Sequence, residues 1–175
     1  SSNAIVQGTG LITLNGNAAS RIFHISGATA ILSDLTLTNG SHATSWGGAL
    51  DVVNASVVTL ERCTVSNSTS ALQGGGIYVN NGTLNVVSST ISGNTATTVG
   101  GGAIATGTSV ANATVNVTNS TISGNTGTNG GAMLFGSNAV VSLLHTTVTN
   151  NTSSQGPNVW SGGGAVTVAN KIGRA

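Results

Sequence analysis

The chain has 175 residues, of which 38% are hydrophobic, 4% charged and 3% aromatic, with a formal net charge of +1. The charged fraction lies far below the roughly 25% of ordinary soluble domains. Its carriers, Arg21, Arg62, Lys171 and Arg174 against Asp34, Asp51 and Glu61, make no basic patch able to neutralise several phosphates, so nucleic acid is not an expected partner.

No apolar run approaches the roughly 18 residues of a membrane helix, and no signal-peptide pattern opens the sequence. No membrane insertion is expected, and the chain reads as soluble or already processed. The lone Cys63 excludes an internal disulfide. Val, Ile and Thr alternate with polar residues throughout, which marks an ordered β protein rather than a low-complexity coil.

In chain order, residues 4–20, with Leu11-Ile12-Thr13-Leu14, read as a first rung of alternating strand. Residues 21–46 contain Thr36-Leu37-Thr38-Asn39. Residues 47–73 open on Gly47-Gly48-Ala49-Leu50, pass through Val58-Thr59-Leu60 and close on Thr64-Val65-Ser66-Asn67. The same three motifs return in 74–100 as Gly75-Gly76-Ile77, Leu84-Asn85-Val86 and Thr90-Ile91-Ser92-Gly93-Asn94. They return in 101–129 as Gly101-Gly102-Ala103-Ile104, Val115-Asn116-Val117 and Thr121-Ile122-Ser123-Gly124-Asn125, and in 130–155 as Gly130-Gly131-Ala132-Met133, Val141-Ser142-Leu143 and Thr147-Val148-Thr149-Asn150-Asn151. Residues 156–175 begin a further unit with Ala165-Val166-Thr167-Val168. The threonines Thr36, Thr64, Thr90, Thr121 and Thr147 lie 28, 26, 31 and 26 residues apart, a solenoid period with insertions placed in turns.

Three short period-2 strands per repeat cannot bury an apolar face alone, but coiling them so that equivalent strands stack in parallel can. The expected fold is therefore a single all-β domain over 1–175. It is a right-handed parallel β-helix with three short strands per rung and about six to seven rungs, some 30 Å long. Its interior is a set of ladders, one of Leu37, Val65, Ile91, Ile122 and Val148 and another of Leu60, Val86, Val117 and Leu143. The glycine pairs mark a corner where a Cβ would clash with the next rung. Asn94, Asn125 and Asn151 fall at a corner where stacked amides hydrogen-bond along the rod.

The alternating GGAI-type and ISGN-type motifs resemble the right-handed β-helix repeats of bacterial surface proteins in the pectin-lyase-like superfamily. They are also similar to the GGAI and FxxN repeats of polymorphic outer-membrane proteins, although Ile91, Ile122 and Val148 stand where that family has phenylalanine. The resemblance implies an extracellular or cell-surface, non-catalytic and often adhesive module.

The residues carry little catalytic chemistry. Glycosidases need two carboxylates across one bond, and calcium-assisted lyases need an acidic cage and a base. With three acidic residues in all, no catalytic residue, cofactor or metal ligand is expected. Stacking Thr36 on Thr64 puts Asp34 beneath Arg62 as a cross-rung ion pair, beside Glu61. His145 shares that column but lies about 14 Å along it. His42 falls in a turn, and the facing of His24 stays open. Trp46 and Trp160 are candidates for stacking on glycan rings or, as the plainer reading, for covering the core at a glycine corner.

The most suggestive surface is a pair of files. With Leu37, Val65, Ile91, Ile122 and Val148 inward, Thr36/Thr38, Thr64/Ser66, Thr90/Ser92, Thr121/Ser123 and Thr147/Thr149 point outward on one flat face. This face resembles the Thr-x-Thr face of β-solenoid ice-binding proteins. The leading expectation is an extracellular structural or adhesive solenoid, either self-associating end to end or contacting other surface proteins and glycans. Ice binding through the Thr/Ser face is one alternative, and a polysaccharide-binding or polysaccharide-cleaving β-helix is another.

Overall fold

The computed structural model describes residues 3–108 and 112–169. Lys171, Arg174 and the side chain of Leu11 lie outside this description. The described chain is all strand and turn, coiled into about six turns. The first turn holds β1 (Asn3–Asn15) and β2 (Phe23–Ser26), and the second β3 (Thr29–Thr38), β4 (Ser41–His42) and β5 (Leu50–Val53). The third holds β6 (Val57–Glu61), β7 (Thr64–Ser66), β8 (Thr69–Ser70) and β9 (Ile77–Asn80). The fourth holds β10 (Gly82–Val87), β11 (Thr90–Ser92), β12 (Thr95–Ala96) and β13 (Ile104–Thr106). The fifth holds β14 (Ala113–Thr118), β15 (Thr121–Ser123), β16 (Thr126–Gly127) and β17 (Met133–Phe135), and the sixth β18 (Ala139–Leu144), β19 (Thr147–Thr149), β20 (Thr152–Ser153) and β21 (Val159–Ser161). Strand β22 (Ala165–Ala169) continues beyond it.

Equivalent strands pair in parallel and form three sheets. One has eleven strands, because β1 and β3 run through the corner that later turns break into two strands. A six-stranded sheet runs β2-β5-β9-β13-β17-β21, and a five-stranded sheet of two-residue strands runs β20-β16-β12-β8-β4. The register is the one that the repeat spacing dictates: Leu37 lies on Val65, Ile91, Ile122 and Val148, and Leu60 on Val86, Val117 and Leu143. Leu37, Leu60, Leu84, Ile91, Ile104 and Ile122 are fully buried, each burial contributing about 1.5–3 kcal/mol.

Two polar ladders complete the core. Asn94 donates its amide to Asn125 Oδ1 (3.0 Å) and Asn125 donates to Asn151 Oδ1 (2.9 Å), while the backbone N–H groups of Ser68, Asn94 and Asn125 donate to the next amide oxygen. Each amide also donates to the carbonyl of Val65, Ile91 or Ile122. At the opposite corner Ser89 and Ser120 do the same work with hydroxyls, accepting from the N–H groups of Cys63 (2.9 Å) and Ser89 (3.0 Å). These side chains satisfy turn backbone that the sheets leave unpaired.

The glycine corner is as close as the motif implies. A Cβ on Gly48 would sit 2.6 Å from the Thr69 carbonyl oxygen, and one on Gly102 would sit 2.5 Å from the Thr126 carbonyl oxygen. Neither backbone can retreat without breaking a rung.

Candidate functional site

The Thr/Ser face forms on one part of the eleven-stranded sheet. In β7, β11 and β15 the middle residue is buried and both neighbours are half-exposed, so each rung projects two hydroxyl side chains. Parallel pairing aligns Thr36, Thr64, Thr90, Thr121 and Thr147 in one file and Thr38, Ser66, Ser92, Ser123 and Thr149 in the other. Along a file the repeat is about 4.8 Å, and between files about 6.6 Å. Ser66 donates its hydroxyl to Thr38 Oγ1 (3.1 Å).

The face is one rung longer than the motif reveals. Strand β1 pairs Thr13 with Thr36, Leu14 with Leu37 and Asn15 with Thr38. One file is therefore six threonines in unbroken register. The sequence marks residues 4–20 as a rung but hides its alignment with the file, because the pairing shifts between Gln7 and Ile12, which shortens the Thr13-to-Thr36 spacing to 23 residues.

At the edge of this face Arg62 makes a two-point contact with Asp34, Nε to Oδ1 at 2.7 Å and Nη2 to Oδ2 at 2.9 Å, and Nη1 contacts Glu61. The Arg62 hydrogen bond holds the Asp34 carboxyl below its usual range, and the two carboxylates raise the Arg62 guanidinium. All three groups are solvated, so screening keeps the interaction weak. His145 lies at the same corner, three turns beyond Arg62, and joins neither.

The six-stranded sheet carries a second constellation. Its outward column runs His24, Asp51, Tyr78, Ala105, Leu134 and Trp160. Asp51 is buried. Its Oδ2 accepts from His24 Nδ1 at 2.9 Å and lies 3.3 Å from Arg21 Nη1. Arg21 also donates from Nε to the Gly47 carbonyl (2.9 Å) and from Nη2 to the Trp46 carbonyl. Burial lowers the Arg21 value, opposed by the nearby Asp51 charge.

Trp46 stacks on Tyr78, with ring centroids 5.4 Å apart and planes 17° apart, yet stays 41% exposed. Burial, helped by Asp51, pushes the Tyr78 hydroxyl up to about 12. Trp160 is 37% exposed and sits over Leu134 on the same column. Both tryptophans therefore pack against the sheet and keep part of each ring in solvent. Sequence reasoning leaves His24 undecided and does not join it to Asp51, although their spacing of 27 residues equals one turn.

Among the described residues no three His, Cys, Asp or Glu side chains come together as a metal site. Cys63 is buried with its Sγ 3.2 Å from the Leu32 carbonyl oxygen, and burial raises its thiol. Comparison of the chain with protein-family models, with curated proteins and with solved structures finds no match.

Proposed function

We propose that this chain is a non-catalytic extracellular solenoid, a rigid structural or adhesive element that meets extended surfaces through its flat Thr/Ser face. The observation that carries the reading is the six-rung register of Thr13, Thr36, Thr64, Thr90, Thr121 and Thr147. Hydroxyls and methyls held at a fixed repeat on a stiff sheet are preorganised for a regular partner and lose little entropy on contact. The carboxylates are already engaged, Asp34 and Glu61 by Arg62 and Asp51 by Arg21 and His24, which argues for a structural role for the acidic groups. Kinship with the β-helix repeat proteins of bacterial surfaces, and association with further copies or neighbouring surface proteins, belong to the same proposal.

Sedimentation of the protein with crystalline cellulose, chitin and ice tests it. The expected result is retention on at least one solid, with at least tenfold weaker retention for Thr90→Tyr combined with Thr121→Tyr. Equal retention of the double variant, or retention on none of the three, would overturn the role of the face.

A second reading, ice binding, is favoured by the unbroken threonine file, which extends the resemblance to the Thr-x-Thr face. It requires thermal hysteresis or ice shaping that the same double variant abolishes. Retention on the polysaccharides without any effect on ice growth would remove this second reading and leave the first.

A further inference from the structure

We propose that Trp46 and the depression beside it form a subsite for an uncharged saccharide, separate from the Thr/Ser face. The depression, about 390 Å³, is walled by Arg21, His24, Ser41, His42 and Thr44. It lies between the turn that leads into β2 and the strand β4; Trp46 follows its wall residue Thr44 by two positions and is joined to the wall through Arg21, which donates to the Trp46 carbonyl.

The indole is fixed before any ligand arrives. One ring face lies on Tyr78 at 5.4 Å, while the residue keeps 41% of its surface exposed. Arg21 grips the carbonyl oxygens of Trp46 and Gly47 and is itself held by Asp51. The Gly47 N–H donates to the Gln73 carbonyl (3.0 Å), tying the turn to the next rung. A partner therefore finds an aromatic platform whose ordering cost is already met by the fold. An indole with one free face suits a flat body that is apolar on one side and polar at its rim. A pyranose ring, with its C–H groups on one face and hydroxyls around the edge, has that form.

The polar half of the site fits the same ligand. His24 donates Nδ1–H to Asp51 Oδ2 (2.9 Å), which leaves Nε2 of a half-exposed ring free to hydrogen-bond a ligand. His42, in the wall, has its Nδ1 buried without a hydrogen-bond partner among the described residues. Ser41 and Thr44 offer hydroxyls that donate or accept. Mixed donors and acceptors match sugar hydroxyls, which also do both. The Arg21 charge is balanced by Asp51 at 3.3 Å, and its Nε and Nη2 donate to the carbonyls of Gly47 and Trp46. With that charge paired and hydroxyls at Ser41 and Thr44 in the wall, the chemistry points to a neutral sugar.

Fluorescence titration tests the assignment in a Trp160→Phe background, where Trp46 is the sole tryptophan. The probes are cellohexaose, chitohexaose, maltohexaose and mannohexaose, with hexagalacturonate as the charged comparator. At least one neutral probe is expected to shift Trp46 emission with a Kd of about 1 mM or tighter. Trp46→Ala, read by calorimetry, and His42→Ala, read by either method, are each expected to weaken that binding at least tenfold. His42→Ala keeps the test decisive if Trp46→Ala disturbs the turn. No response to any neutral probe would overturn the proposal, as would response to hexagalacturonate alone or affinity unchanged in both variants. Because Thr90→Tyr with Thr121→Tyr lies on another sheet, it is expected to leave this binding intact, so failure here and failure of the Thr/Ser face are separate results.

Discussion

Replacing Asn125 by Leu tests whether the internal amide ladder, rather than aliphatic packing alone, holds successive rungs in register. Asn125 is fully buried, accepts two hydrogen bonds from Asn94 and donates to Ile91, Ser123 and Asn151. Leucine fills similar space but leaves the buried Asn94 N–H without its acceptor. An orphaned buried group costs about 1–3 kcal/mol, and each lost hydrogen bond about 1 kcal/mol. Burial of the leucine side chain offsets about 1.5–3 kcal/mol of that total, so the net loss expected for Asn125→Leu is about 3–6 kcal/mol, or a Tm fall of about 6–24 °C for a chain of this size. Asn116 is the control, because it makes the same kind of rung-to-rung contact, to Asn85 Oδ1 at 2.9 Å, on the half-exposed outer surface. Water replaces that contact, so Asn116→Leu is expected to cost at most about 1 kcal/mol. Urea unfolding followed by circular dichroism measures both. Equal losses for the two variants, or an Asn125→Leu protein within about 1 kcal/mol of the parent, would refute the reasoning.

Three further outcomes follow from particular contacts. Gly102→Ala is expected to prevent folding, because its Cβ would meet the Thr126 carbonyl oxygen at 2.5 Å. Gly124→Ala meets no heavy atom closer than 3.9 Å and suffers only from its φ of 64°, so it should fold with a loss of about 1–2 kcal/mol; expression and thermal melting distinguish the two. Asp34 has a folded-state value depressed by Arg62, so its stabilisation is complete above the ordinary carboxylate range and disappears as pH falls through the lowered value. The Tm gap between the parent and Asp34→Asn should close in acid and shrink with added salt, and a gap independent of pH would contradict the contact. Cys63, buried and with its thiol raised by that burial, should react with Ellman's reagent only after denaturation; rapid labelling of the native protein would show the corner to be open.

Much of this architecture is legible in the sequence because stacking converts a linear period into a spatial column. The Leu37-to-Val148 and Leu60-to-Leu143 ladders, the Asn94-Asn125-Asn151 corner and the Asp34–Arg62 contact all follow from aligning one motif with the next. What escapes is whatever breaks the period or leaves the strand. Thr13 and Asn15 are hidden by the register shift after Gln7. The Ser89 and Ser120 ladder is hidden because serine in a turn is too common to mark a position. In the first turn, Arg21 and Ile22 stand level with Gly48 and Ala49, so the glycine signature that would align His24 with Asp51 is missing. The stacking of Trp46 on Tyr78 joins a turn to a strand one rung away, and no periodicity encodes it.

Successive turns lie directly above one another, and a spin-label pair reads that arrangement. Labels at Thr36→Cys and Thr147→Cys, four rungs apart in one file, should give a single narrow distance near a backbone separation of about 19 Å. Native Cys63 stays unlabelled inside the core. A separation beyond about 30 Å, or a broad distribution of distances, would mean that the threonines do not form a file, and the face built from them would not exist.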